Sequence, residues 1–72
     1  MIVDMDTHTV AQIRKWRGWT QRELAGRANC SMAMIGAIER GERAPTVPLA
    51  RRIADALGVS LDDAFPAEVR DA

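Results

Sequence analysis

The apolar residues of this chain recur three and four positions apart, and no stretch alternates regularly between apolar and polar residues. Spacing of three and four places apolar side chains on one face of an α-helix, whereas regular alternation is typical of a β-strand. Glycine, asparagine and cap-forming serine or threonine residues interrupt the pattern at short intervals. The sequence therefore predicts an all-α fold, a compact bundle of five short helices joined by short connections.

Start and stop signals limit these helices. The first helix is predicted over about residues 9–17 and the second over about residues 21–28, where Thr20 and Glu23 form a capping box. Asn29 then makes a left-handed turn, since asparagine tolerates positive φ better than most residues. A third helix is predicted at about 32–40, between the cap Ser31 and the stop Gly41. A fourth begins after Thr46, with Pro48 in its first turn, and ends near Leu57 before Gly58. Ser60 caps a short fifth helix.

One hydrophobic core is expected, because 72 residues can bury only about 60% of the unfolded surface and have no room for a second domain. The predicted domain covers residues 9–66, with an N-terminal arm at 1–8 and a C-terminal tail at 67–72. The residues predicted to face inward are Val10, Ile13, Trp19, Leu24, Ala25, Ala28, Cys30, Ile35, Ile38, Leu49, Ile53 and Leu57.

The rare residue types exclude several classes of protein. A single cysteine, Cys30, and a single histidine, His8, cannot build a disulfide framework or a histidine-based metal site. The acidic pair Asp62 and Asp63 fits capping of the fifth helix and has no nucleophile or base near it in sequence. We therefore predict no enzyme activity, no metal, no cofactor and no small-molecule ligand. The absence of a long apolar run and of a signal peptide further predicts a cytoplasmic protein without a membrane span.

The net charge of zero conceals an uneven distribution. Residues 13–52 hold nine basic and three acidic residues, a net charge of +6, whereas both ends are acidic. A basic middle segment suits a polyanionic partner, although a solvated arginine-rich surface would show the same charges. Charge alone leaves both interpretations open.

The second and third helices, with a tight turn at Asn29, have the layout of a helix-turn-helix, whose second helix can enter the major groove of DNA. Their order and spacing resemble the lambda-repressor-like helix-turn-helix family of phage repressors and xenobiotic-response-element-type regulators. The residues that carry the resemblance are Ile13, Arg14, Gly18, Trp19, Thr20, Gln21, Glu23, Leu24, Ala25, Ser31, Ile35, Ile38, Glu39, Arg40, Gly41, Arg43, Pro45, Leu57, Gly58, Val59, Ser60 and Leu61. The family implies a five-helix domain that binds double-stranded DNA, usually as a homodimer on a palindromic operator.

The resemblance also implies roles for individual residues. Gln21, Arg40 and Arg43 should contact phosphates, and Arg27 is a further phosphate-binding candidate. Arg14 and Glu39 match a family pair that forms a structural salt bridge between the first and third helices. The positions that face DNA bases in the family are Met32, Ala33 and Ala37, with Met34 and Gly36 alongside.

This chain departs from the family at those base-facing positions, since none of the five has a polar side chain that can bond a base edge. Three interpretations remain open. Methionine and alanine could contact thymine methyl groups while DNA shape supplies the rest of the specificity. Flanking side chains such as Arg27, Arg40 or Arg43 could contact bases. Alternatively, the methionine-rich face could bind a protein.

We therefore predict a transcriptional regulator, a repressor by occupancy, that acts in the cytoplasm of a bacterial or phage-infected cell at the nucleoid. The dimer surface is predicted near Leu61, Phe65 and Val69. The alternative hypothesis is a protein-interaction module on the same fold, an antirepressor or antitoxin, that binds its partner through Met32, Met34 and the exposed Trp16.

Overall fold

The computed structural model describes the backbone of residues 5–65 and the side chains of residues 9–65. This part of the chain is all-α and has no strand. The five helices are α1 (Met5–Trp16), α2 (Gln21–Ala28), α3 (Met32–Glu39), α4 (Val47–Leu57) and α5 (Leu61–Ala64). The predicted fold class, five helices in the expected order, is confirmed.

Three helix limits differ from the prediction, one of them by a single residue at the end of α1, which is Trp16. Helix α1 begins at Met5 rather than near Thr9, because no proline or glycine stands between these residues to stop the helix earlier. Helix α3 ends one residue early, with Arg40 as its C-cap in a right-handed conformation. The predicted tail at 67–72 lies outside the described residues.

Each helix from α2 to α5 begins at a hydroxyl that accepts a backbone hydrogen bond. The Thr20 Oγ1 accepts from the Glu23 N–H at 3.0 Å, and the Glu23 carboxylate accepts from the Thr20 N–H at 2.7 Å, so the predicted capping box is present. Ser31, Thr46 and Ser60 cap α3, α4 and α5 in the same way. Such caps satisfy N–H groups that have no partner inside the helix.

The core lies between α2, α3 and α4, with α1 and α5 closing its sides. Its largest fully buried side chains are those of Leu24, Ile35, Ile53, Leu57 and Val10. Alanines fill the helix crossings, where a small side chain lets two backbones approach closely. Phe65 is also buried in this core, so the expectation that it forms a dimer surface is wrong, and Val69 lies outside the described residues.

The turn between α2 and α3 has the predicted left-handed residue. Asn29 has φ 60° and ψ 50°, and the Cys30 N–H closes the turn by donating to the Ala25 carbonyl at 2.9 Å. A contact that the sequence did not predict supports this turn from α4: the Arg52 Nε donates to the Ala28 carbonyl at 2.9 Å. The end of α2 is therefore fixed both by its own turn and by the helix packed against it.

Candidate nucleic-acid interface

One strip of α3 faces away from the core. Taking about 100° per residue, Met32, Ala33, Gly36, Ala37 and the C-cap Arg40 lie within an arc of about 140°, opposite the buried Ile35 and Ile38. We call these five residues the outer strip of α3. It is the surface that α3 would present to a partner, because the opposite side of the helix is packed into the core.

The outer strip is not uniformly open. Met32 is 45% exposed and Ala33 is exposed, whereas Gly36 is buried and Ala37 is only 8% exposed. Met34 lies outside the strip and is half-buried against the core. Of the five base-facing candidates, Met32 and Ala33 are therefore exposed, Met34 is half-buried, and Gly36 and Ala37 are buried. Longer neighbouring side chains cover the backbone at Gly36, as sequence spacing alone could not show.

Arg40 and Gln21 are these covering side chains. A β-carbon added to Gly36 would stand 3.1 Å from the Arg40 Nη1 and 3.7 Å from the Gln21 Oε1. The Arg40 side chain therefore folds back along α3 toward its N-terminal half. The space that glycine leaves at this position is what allows the guanidinium to lie against the helix backbone.

Arg40 also forms a bidentate ion pair with Glu42. The Arg40 Nε donates to the Glu42 Oε2 at 2.9 Å, and the Nη2 donates to Oε1 at 3.0 Å. Both side chains are more than half exposed. The hydrogen bonds, and then the charge of the partner, raise the pKa of Arg40 and lower the pKa of the Glu42 carboxyl. Both groups are therefore charged at neutral pH.

A second group of polar side chains lies beneath α3, where Arg14, Glu39 and Gln21 form what we call the buried polar cluster. The Arg14 Nε and Nη2 donate to the two Glu39 carboxylate oxygens at 2.6 and 3.1 Å, and the Nη1 donates to the Trp19 carbonyl at 2.7 Å. The Gln21 Nε2 donates to the Glu39 Oε1 at 2.9 Å. The salt bridge implied by the family resemblance is thus present, and it joins α1, α2 and α3.

Two further arginines flank the helix pair. The Arg27 guanidinium lies over the ring of the half-buried Trp19, 4.2 Å from its centre, a cation–π contact. Arg43 is exposed in the loop after α3, where its N–H and that of Glu42 both point to the Ala37 carbonyl, at 3.4 and 2.9 Å. This backbone arrangement holds the loop against the end of α3.

Comparison with known proteins decides the family. A helix-turn-helix family model matches residues 10–63, three quarters of the chain. The chain belongs to this helix-turn-helix family, the lambda-repressor-like one. Its sequence is 36% identical over 59 residues to the uncharacterized HTH-type transcriptional regulator YazB of Bacillus subtilis (strain 168), which covers 82% of this chain and 86% of YazB.

Two other proteins are similar to this chain, one in sequence and one in fold. The HTH-type transcriptional regulator SutR of Escherichia coli (strain K12) is 45% identical over 51 residues, which is 71% of this chain but only 29% of SutR. The fold matches a crystal structure of the restriction-modification controller protein C.AhdI from Aeromonas hydrophila, with a TM-score of 0.79 at 23% identity. The match covers 86% of this chain and 97% of that chain. This helix-turn-helix protein is thus a DNA-binding transcriptional regulator, in a family that is not enzymatic.

Cys30 is a packing residue in this helix-turn-helix domain. Its side chain is half-buried against the core, and burial raises the pKa of the thiol more than the nearby Arg52 lowers it. The protonated thiol is a poor nucleophile at neutral pH. No group of three or more metal-ligating side chains occurs among the described residues, and none of the described helices is long and apolar enough to cross a bilayer.

Trp16 lies on a different surface of the helix-turn-helix domain. Its side chain is 83% exposed and borders an apolar cleft of about 380 Å³, together with Gln12, Ile13, Arg17 and Val59. On α1 it points about 160° away from Arg14, which faces α3. The alternative protein-binding face, composed of Met32, Met34 and Trp16, is therefore not one continuous surface.

Proposed function

We propose that this chain is a sequence-specific repressor that inserts α3 into the major groove of a palindromic operator and binds it as a homodimer. The observation that carries the proposal is the outer strip of α3, which lies opposite the buried Ile35 and Ile38, exposes Met32, Ala33 and Arg40, and belongs to the basic segment of the chain. A major groove admits one α-helix, and the N-terminal residues of that helix meet the base edges. The exposure of Met32 and Ala33 in the first turn of α3 supports their assignment to this contact.

Phosphate contacts at both ends of the helix pair would fix its orientation. Gln21 lies at the N-terminus of α2, where backbone N–H groups and the helix dipole favour an anion. Its amide nitrogen carries two hydrogens, so it can donate one to Glu39 and the other to a phosphate. Arg27 and Arg43 supply positive charge, and Arg40 is a fourth DNA-facing candidate.

A dimer follows from the size of the domain. One small module makes few contacts, and a two-fold pair doubles them across half-sites about one helical turn apart. An operator occupied in this way excludes RNA polymerase from an overlapping promoter, which is repression by occupancy. The protein would act in the cytoplasm of a bacterial or phage-infected cell, at the nucleoid.

Salt dependence tests the proposal directly. Binding to a random-sequence duplex is measured by fluorescence anisotropy at 50 and 200 mM salt. Contact with about six phosphates should weaken the binding by roughly three decades across this range, because counterions are released on binding. Selection of bound duplexes from a random pool should then return a palindrome. No DNA affinity at 50 mM salt would contradict the proposal and favour the antirepressor or antitoxin alternative.

Substitution of Arg43 and Arg27 separates phosphate contacts from base contacts. Arg43→Ala and Arg27→Ala should each weaken binding to the selected and the random duplex by similar factors and lower the salt slope by about one. Gln21→Ala is unsuitable for this purpose, because it also removes a hydrogen bond from the buried Glu39. Arg22→Ala, at an exposed position in α2, is the matched control for the loss of one positive charge.

A further inference from the structure

The outer strip of α3 contains one side chain able to form a directed hydrogen bond. Met32, Ala33, Gly36 and Ala37 have no polar side-chain atoms, and Arg40 is the remaining member. Its guanidinium reaches back to the level of Gly36, in the middle of the strip. Any surface that docks against the centre of α3 therefore meets the Arg40 guanidinium.

Glu42 leaves a defined part of that guanidinium available. The carboxylate takes the Nε hydrogen and one Nη2 hydrogen, on the side of the group. Of the hydrogens that Glu42 does not take, one on Nη1 and one on Nη2 lie at the end of the group, parallel and in one plane, as the rigid guanidinium requires. This end-on pair of donors matches two adjacent acceptors, such as O6 and N7 of guanine in the major groove.

Gly36 leaves room for this placement. A β-carbon there would lie 3.1 Å from Nη1, closer than most real contacts of this kind, so the guanidinium would have to shift by a few tenths of an ångström. A glycine in the middle of a helix lowers helix propensity, and here it lies beneath the only arginine of the outer strip. Gly36 thus leaves space beneath the Arg40 guanidinium, and Glu42 binds the same group from the side.

From this geometry we propose that Arg40 determines the sequence specificity of the protein by bonding a guanine, with Glu42 and Gly36 as positioning residues. The inference rests on the proposed function, since it requires α3 to occupy the major groove. It changes the role of Arg40 from the phosphate contact implied by the family resemblance to a base contact.

Charge and position favour a base over a phosphate. The Glu42 carboxylate compensates the positive charge of Arg40 and would repel a nearby phosphate, whereas a guanine edge is a neutral pair of acceptors. The Arg40 guanidinium also lies near Gly36, in the middle of the outer strip, so it would face the floor of a groove that the helix occupies. Specificity then does not depend on the apolar residues alone.

The central experiment compares Arg40→Lys with the unchanged protein. Each is used to select duplexes from a random pool, and affinities for the selected and for a random duplex are measured at one salt concentration. Lysine keeps the charge and loses the planar donor pair. We expect a guanine in the unchanged protein's consensus that disappears for Arg40→Lys, with a loss of about 10-fold or more for the selected duplex and little change for the random one.

Glu42→Gln tests whether Glu42 positions the Arg40 guanidinium or only competes with DNA phosphate for it. If Glu42 orients Arg40, the substitution raises affinity for the random duplex, by removing a negative charge, and lowers the ratio of selected to random binding several-fold. If Glu42 merely competes with phosphate for Arg40, both affinities rise equally and the proposal is overturned. Gly36→Ala should lower the same ratio without lowering the melting temperature, which a general loss of structure would do.

Arg22→Lys is the matched control, since it makes the same change at an exposed arginine of α2 outside the proposed DNA contacts and should leave the consensus unchanged. Thermal unfolding followed by circular dichroism verifies that each variant is folded. A consensus that survives Arg40→Lys overturns this inference and leaves the proposed function standing. An unchanged protein that selects no sequence, or binds no DNA, removes the proposed function and with it the role of Arg40.

Discussion

Two arginine–glutamate ion pairs contact α3, one beneath the helix and one on its outer surface, and both are bidentate. The Nε–Oε2 and Nη2–Oε1 distances are 2.6 and 3.1 Å in Arg14–Glu39, and 2.9 and 3.0 Å in Arg40–Glu42. Their environments differ. The side chains of the first pair are 9% and 6% exposed, and those of the second are 59% and 58% exposed.

This difference in burial indicates that one ion pair stabilises the fold and the other is free to serve binding. Charges removed from water must find partners in the protein, and breaking such a pair leaves one of them uncompensated. The charges of an exposed pair are hydrated whether or not the ion pair forms, so its net contribution to stability is small. The buried pair therefore holds the helices in place, while the exposed pair adds little to stability and is accessible to a ligand.

The largest effect is expected for Glu39→Gln. This change keeps the side-chain shape but leaves the buried Arg14 guanidinium without its counter-charge, at a cost of roughly 3–5 kcal/mol in the free energy of unfolding. Urea denaturation of both proteins measures the difference. A small domain with such a loss would be close to unfolding at room temperature.

Replacing both partners provides the control for Glu39→Gln. Arg14→Met combined with Glu39→Met removes the two charges together, so most of the lost stability should return. A loss below about 1 kcal/mol for Glu39→Gln alone would contradict the structural role of the buried polar cluster.

A smaller effect is expected for Gln21→Ala, which removes the third member of that cluster. Hydrogen bonds to charged groups contribute about 1.5–3 kcal/mol, and Gln21 is only half-buried, so we expect a loss of about 1–2 kcal/mol in urea denaturation. Arg22→Ala is the neighbouring control, because Arg22 is exposed on the same turn of α2. Equal stability of the two variants would show that the Gln21–Glu39 bond adds nothing to the buried pair.

The smallest effect on stability is expected for the exposed pair. Glu42→Gln should leave the urea midpoint unchanged within error, since both partners remain hydrated. A clear drop in the midpoint would mean that the two ion pairs do not differ in the way their burial indicates.

Acid titration sharpens the same comparison. The pKa of the Glu42 carboxyl is lowered in the folded protein, so the pair is complete above the ordinary pKa of glutamate and is lost as the pH falls through the lowered value. The carboxyl carbon shift of Glu42, followed by NMR, should show this low pKa. In Arg40→Ala the pKa should return to the usual range, and an unchanged value would disprove that Arg40 is the cause of the shift.

Much of the fold followed from short-range signals in the sequence. The capping box at Thr20 and Glu23, and the left-handed turn at Asn29, each depend on atoms within about one helical turn. The start of α1 at Met5 escaped prediction because the apolar spacing that predicted this helix begins only at Val10. The Arg14–Glu39 pair came from family resemblance, since nothing local connects residues 25 positions apart.

The sequence by itself determined which segments are helical, which residues turn the chain, and which family the chain belongs to, because these depend on local spacing and hydrogen bonding. Only the tertiary structure decided that Phe65 is core, that Arg52 supports the end of α2, and that Arg40 folds back over Gly36. Long side chains choose among many rotamers, and neighbours brought together in space, rather than along the chain, select the one that is occupied.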